Sequence, residues 1–146
     1  MGASPWEYFT EYDPDLNALL QRLRRQEFEA CNYFGDGSLI TGKGPRHASI
    51  ELAMEAADAD GTAPILDIEL ASTIPFDGEN DPGVAHPLSR EQLIELFATD
   101  RPSQEDVEGS EELYELIGRG CCIYVLVYNI EGGPLSGVSW VGYSYD

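Results

Sequence analysis

The residues of this chain with most chemistry to offer are carboxylates crowded into one short run: Glu105, Asp106, Glu108, Glu111, Glu112 and Glu115. Read as part of a helix over 104–117, the run sets side chains three and four residues apart at ~5–6 Å from one another, a dense negative band. Like charges at that spacing weaken a helix, so keeping them points to a use, which is to meet a cationic surface. A second acidic run, Asp77, Glu79 and Asp81, is expected to extend the band. The competing reading is a solvated helix face in a chain that is acidic throughout.

Other constellations fail at identifiable positions. Gly37-Ser-Leu-Ile-Thr-Gly-Lys-Gly44 carries the two glycines and the lysine of a phosphate-binding loop. Gly44, however, stands where a Ser or Thr must hold magnesium, and Pro45 follows where a helix should begin. Asp58-Ala-Asp60-Gly61 with Asp67 overlays the later part of a calcium loop, but the first ligand position falls on Ala56 and a strand is expected afterwards. A glycine-closed helix end accounts for the same residues.

Neither His47 nor His86 has a second histidine at ligand spacing. His86, near Asp77, Glu79 and Asp81, would make an acid/base site only if its loop folded over a pocket. In Gly137-Val-Ser139-Trp-Val141 the last glycine of a nucleophile elbow is missing. Cys121 and Cys122 open an apolar run, where thiols serve as inert packing. No catalytic, metal-binding or cofactor-binding constellation emerges, so the expectation is a protein that is not an enzyme and uses no cofactor.

The elements that must position these residues follow from periodicity and punctuation. Cys121 to Ile130 holds ten uncharged residues rich in β-branched and aromatic types, a strand buried on both faces. Glu131-Gly-Gly-Pro134 turns the chain, and Leu135 to Tyr145 returns as its hairpin partner. Residues 6–12 alternate as an edge strand. Asp13 and Pro14 begin a helix that runs to Cys31 through Leu16, Leu19, Leu20 and Leu23; its arginines Arg22, Arg24 and Arg25 balance nearby acids such as Glu27 and Glu29.

Residues 32–46 read as a loop, 48–60 as a helix, 64–70 as a strand and 72–87 as a loop. Leu88-Ser-Arg-Glu-Gln-Leu93 is a capping box with a hydrophobic staple, opening a helix that buries Leu93, Leu96 and Phe97. Ser103 caps the next helix, which Gly109 kinks or splits. The sum is one α+β domain over 1–146, with a mostly antiparallel sheet of about four strands, a C-terminal hairpin, and helices mainly on one face.

Composition narrows the function classes. The chain has 146 residues, 27 acids against eight bases, and a formal net charge of −19. A domain of that length buries about 68–70% of its unfolded surface and folds without staples. Cys31, Cys121 and Cys122 form neither a paired framework nor a C-x-x-C site, so a reducing cytoplasm is the expected compartment. The first residues lack the basic and apolar regions of a signal peptide, and no apolar run approaches the ~20 residues of a membrane helix. The acids between residues 47 and 120 repel phosphates, which argues against nucleic acid and anionic membranes as partners.

A basic protein partner is the expected one, met through the carboxylate-rich face. Toxin-neutralising immunity proteins and nucleic-acid mimics share this size and acidity, an analogy of charge alone. The alternative is a small-molecule-binding or enzymatic domain with a pocket between the sheet and the 32–46 and 71–87 loops, lined by Tyr33, Phe34, Phe76 and His86. A third reading is an oligomer paired through exposed Trp140, Tyr143 and Tyr145 of the hairpin.

Overall fold

Strand β4, Cys122–Tyr128, is the middle strand of the sheet. Its successive side chains enter two separate clusters. Cys122 and Tyr124 pack with Trp6, Leu19, Leu20, Leu23, Val138 and Trp140. Ile123, Val125 and Val127 pack with Phe76, Leu88, Val107, Leu113 and Val141. Because neighbouring residues of a strand point to opposite faces, these clusters lie on opposite sides of the sheet. Each fully buried Val, Leu or Ile in them contributes roughly 1.5–3 kcal/mol through burial.

The computed structural model describes residues 5–29, 65, 68–79, 81–118, 120–129 and 134–143. In chain order the elements are β1 (Pro5–Glu11), α1 (Leu16–Glu29), β2 (Leu70–Ala71), β3 (Val84–Pro87), α2 (Arg90–Phe97), α3 (Gln104–Glu108), α4 (Glu111–Glu115), β4, and β5 (Leu135–Tyr143). The loop expected at 32–46, the helix at 48–60, both ligand-loop motifs, His47, Tyr33, Phe34, the hairpin turn and Tyr145 lie outside the described residues.

The fold is α+β, with corrections. Among the described residues five strands, against the expected four or so, run in the order β1-β5-β4-β3-β2. The sheet is mixed: β1, β5 and β4 are antiparallel neighbours, whereas β4, β3 and β2 are parallel. Parallel neighbours need crossovers, and residues 88–121 provide one by carrying α2, α3 and α4 across the face opposite α1. Among the described residues three helices thus lie on one face and α1 alone covers the other.

The missed strand is β3, four residues that follow Pro82-Gly83 and end on Pro87 and are so written like a loop. Of the strand expected at 64–70, the described part is extended only at Leu70–Ala71, while Ile65 lies in a turn closed by the Ile68 N–H bonding its carbonyl at 3.1 Å. α1 is capped by Asp15, whose Oδ1 accepts from the Ala18 N–H at 3.0 Å, and not by Asp13. Asp13 instead accepts from the Asp15 N–H and pairs with Arg22 at 2.7 Å.

Two side chains one turn apart on α1 close the far edge of the sheet. Asn17 both donates to the Ala71 carbonyl, at 2.9 Å, and accepts from the Ala71 N–H, at 2.7 Å. Gln21 donates to the Glu69 carbonyl at 2.9 Å. An edge strand exposes unpaired backbone groups, and these two amides stand in for a neighbouring strand there.

Trp140 is fully buried, and its indole N–H donates to Thr10 Oγ1 at 3.0 Å. With Tyr143 only partly exposed, the expected aromatic patch on the hairpin is not formed by these two residues.

Candidate functional site

The acidic run begins where α2 ends. The predicted capping box is present: Ser89 Oγ accepts from the Gln92 N–H at 3.1 Å while Gln92 Oε1 accepts from the Ser89 N–H at 2.7 Å. Leu88 and Leu93 both join the cluster beneath, as the staple requires. The helix stops at Ala98, which takes a left-handed conformation at φ 63° and donates its N–H to the Ile94 carbonyl. That stop leaves Leu96 and Phe97 facing the next two helices.

These helices are short and separately capped. Ser103 Oγ accepts from the Asp106 N–H at 3.2 Å, and Asp106 returns a bond to the Ser103 N–H at 2.9 Å. Ser110 Oγ accepts from the Leu113 N–H at 3.2 Å, opening a new helix one residue after Gly109. The carboxylates expected on one continuous helix are thus divided between α3 and α4. Val107 and Leu113, both fully buried, anchor one helix each, whereas Leu116 is 39% exposed.

The break gathers part of the acidic set around a hollow of about 560 Å³, lined by Leu96, Phe97, Asp106, Gly109, Ser110, Glu111, Glu112 and Glu115. Asp106 on α3 and Glu111, Glu112 and Glu115 on α4, on either side of the break at Gly109, line this one hollow. A second hollow of about 380 Å³, lined by Pro5, Glu111, Tyr114, Glu115 and Tyr143, shares two of these carboxylates. In it the rings of Tyr114 and Tyr143 meet edge to face, with centroids 5.7 Å apart.

Glu105 and Glu108 do not line the cleft. Glu108 accepts from Gln104 Nε2 at 2.9 Å, and its charge reaches Glu7 on β1. Burial first, and then that repulsion, raise the Glu7 pKa above the ordinary carboxylate value. Burial, with the charge of Glu7 and the neighbouring Tyr143, pushes the Tyr114 phenol up to about 12, so its ring is neutral at physiological pH.

The second acidic run has a different engagement. Asp77 Oδ1 accepts from the Glu79 N–H at 2.9 Å, and Asp81 Oδ2 lies 2.6 Å from His86 Nε2. Asp77, Glu79 and Asp81 line neither of the two hollows formed by the α4 carboxylates.

His86 itself sits on β3, not in a loop, with Nδ1 2.8 Å from the Ile74 carbonyl oxygen. Phe76, the other described residue of the alternative pocket, is 5% exposed and packed in the core. Ser139, 1% exposed in the middle of β5, is in no position to be a nucleophile. Among the described residues no group of three or more His, Cys, Asp or Glu could hold a metal ion, and no helix is long and apolar enough to cross a membrane.

No family model matches the chain, and no curated protein or solved structure matches it significantly.

Sequence reasoning overlooked Ser110 as a cap and Leu96 and Phe97 as cleft residues. A signal for the first was present in the chain: Gly109-Ser110 is a stop followed by an N-cap residue. The second depends on where α2 halts, and Ala98 gives no warning of a left-handed turn.

Proposed function

We propose that this protein binds a cationic protein partner, seating a lysine- or arginine-rich segment in the cleft between α2, α3 and α4. The observation that carries the reading is the convergence of Asp106, Glu111, Glu112 and Glu115 on one hollow whose remaining lining includes Leu96 and Phe97. Long basic side chains bury apolar stems while their charged heads stay polar, which suits a cleft of mixed carboxylate and apolar lining. Among the described residues no basic side chain lines it to neutralise those acids. The overall charge of −19 would hasten encounter with such a partner, and an inhibitor of a basic enzyme is the concrete form of this reading.

The test is calorimetric titration of a lysine- and arginine-rich peptide against three proteins. One is the wild type, one carries Glu111→Gln, Glu112→Gln and Glu115→Gln, and one carries Glu11→Gln, Glu29→Gln and Glu69→Gln. The last two lose the same charge, but only the first of them loses it at the cleft. Binding should weaken about tenfold in the cleft variant and far less in the control, and should fall as salt rises from roughly 50 to 300 mM. Equal losses in both variants would reduce the effect to net charge and remove the site.

A further inference from the structure

His86 is held by two groups that can only accept hydrogen bonds. Its Nδ1 lies 2.8 Å from the main-chain oxygen of Ile74, and its Nε2 2.6 Å from the carboxylate of Asp81. A neutral imidazole carries one N–H and can satisfy one such partner; both contacts are bonds together only when the ring carries two protons. Asp81 is half exposed, whereas the His86 side chain is 15% exposed, so the ring is the inner member of the pair.

The same aspartate covers a thiol. Cys121 is 3% exposed and accepts a hydrogen bond from the Asp81 main-chain N–H, while Gly83 donates to the Gly120 carbonyl at 3.0 Å. The described residues 74–79, together with Asp81, form a stretch that is tied to one imidazole through Ile74 and Asp81, and Asp81 lies on Cys121. From these contacts we propose that the imidazolium of His86 is a clasp that fastens this stretch over Cys121, so that pH governs access to the thiol. The inference is independent of the acidic cleft.

The charges acting on the ring are those of Asp81 and Asp77, both on the clasped stretch. From the neighbouring strand β4 the residue in register is Ile123, and β2 presents Leu70 and Ala71 to β3, none of them charged. Burial alone would lower the histidine pKa, but the bonds to Ile74 and Asp81 with the two carboxylates outweigh it, and the net direction is upward. With the folded pKa raised, the clasp is intact below the ordinary histidine value and is lost as pH rises through the folded one. One of the two bonds must then go, and the cover over Cys121 loosens with it.

The experiment compares iodoacetamide labelling of Cys121 in the wild type and in His86→Asn, read by fragmentation mass spectrometry that separates Cys121 from Cys122. Taking the ratio of rates at each pH removes the general rise of thiolate with pH and leaves the difference that the cover makes, in access and in the burial that holds the Cys121 pKa up. His86→Asn should be labelled about tenfold faster near pH 6, the factor a charge-assisted bond carries, and the ratio should approach one near pH 9. A ratio that is flat across this range overturns the clasp. Nitrogen NMR of the wild-type ring decides the matter even if the variant does not fold. Two protonated nitrogens at neutral pH support the clasp, and a single protonated nitrogen at pH 6 refutes it.

Discussion

The indole of Trp6 fills the space that a side chain at Gly142 would need. The two residues face each other across β1 and β5, and a Cβ on Gly142 would stand 2.5 Å from Trp6 Cζ2 and 2.5 Å from the Cys121 carbonyl oxygen. One of those neighbours is backbone and cannot swing aside. Gly142→Ala should therefore destabilise the protein by about 1–3 kcal/mol, the usual range for overpacking. A thermal melt indistinguishable from wild type would contradict the packing of Trp6 described above.

A second glycine makes the contrast. Gly109 has φ −85°, and a Cβ there would meet only the Glu105 carbonyl oxygen at an ordinary 3.4 Å. Gly109→Ala should be tolerated within about 0.5 kcal/mol, whereas Ser110→Ala should cost about 1 kcal/mol by removing the bond to the Leu113 N–H. Urea titrations of the two variants measure both values. If Gly109→Ala proved the more harmful, the glycine and not the serine cap would be the cause of the helix break.

Glu7 gives a pH dependence whose sign can be worked out. Its folded pKa is raised by burial and by Glu108, so the folded protein holds a proton that the unfolded chain releases, and stability falls as pH rises from the ordinary glutamate value through the raised one. Glu7→Gln should then be more stable than wild type at pH 7, with the advantage fading below about pH 4, where both forms are neutral. Melting curves at the two pH values check this. A constant offset would mean that the gain came from packing instead of charge.

Repulsion among Glu111, Glu112 and Glu115 should also register in stability. The cleft variant with all three changed to Gln should melt higher than wild type in dilute buffer, and the gap should narrow as salt approaches roughly 0.5 M, because screening weakens exposed charges first. A gap unaffected by salt would count against repulsion as its origin.

The elements legible in the sequence are those whose instructions are local. The capping box at Ser89 and Gln92, the apolar run of β4 and the alternation of β1 each lie within a few neighbouring residues, and each formed. β3 was illegible because Pro82, Gly83 and Pro87 spell a loop, while its strand character comes from pairing with β4, 37 residues further on. The mixed sheet has the same origin, since parallel register belongs to the crossover through α2, α3 and α4 and no single stretch encodes it.

At the candidate site the residue types were readable and their grouping was not. Asp106, Glu111, Glu112 and Glu115 were visible as a charge run, but the exclusion of Glu105 and Glu108 from the cleft follows from the break at Gly109-Ser110. The bonds from Asn17 to Ala71 were out of reach altogether, for they span 54 positions and use an amide that looks like any other polar helix residue.

β5 lies between β1 and β4, so among the described strands Pro5–Glu11 pairs with Leu135–Tyr143 alone. During synthesis β1 and the apolar side of α1 must wait for about 130 further residues to be made before the strand that completes their shelter leaves the ribosome, several seconds at ordinary elongation rates. Throughout that interval the nascent chain displays Trp6, Leu19, Leu20 and Leu23 without Val138 and Trp140 to cover them. Its heavy negative charge is then a safeguard against self-association at the moment when the chain is most exposed to it.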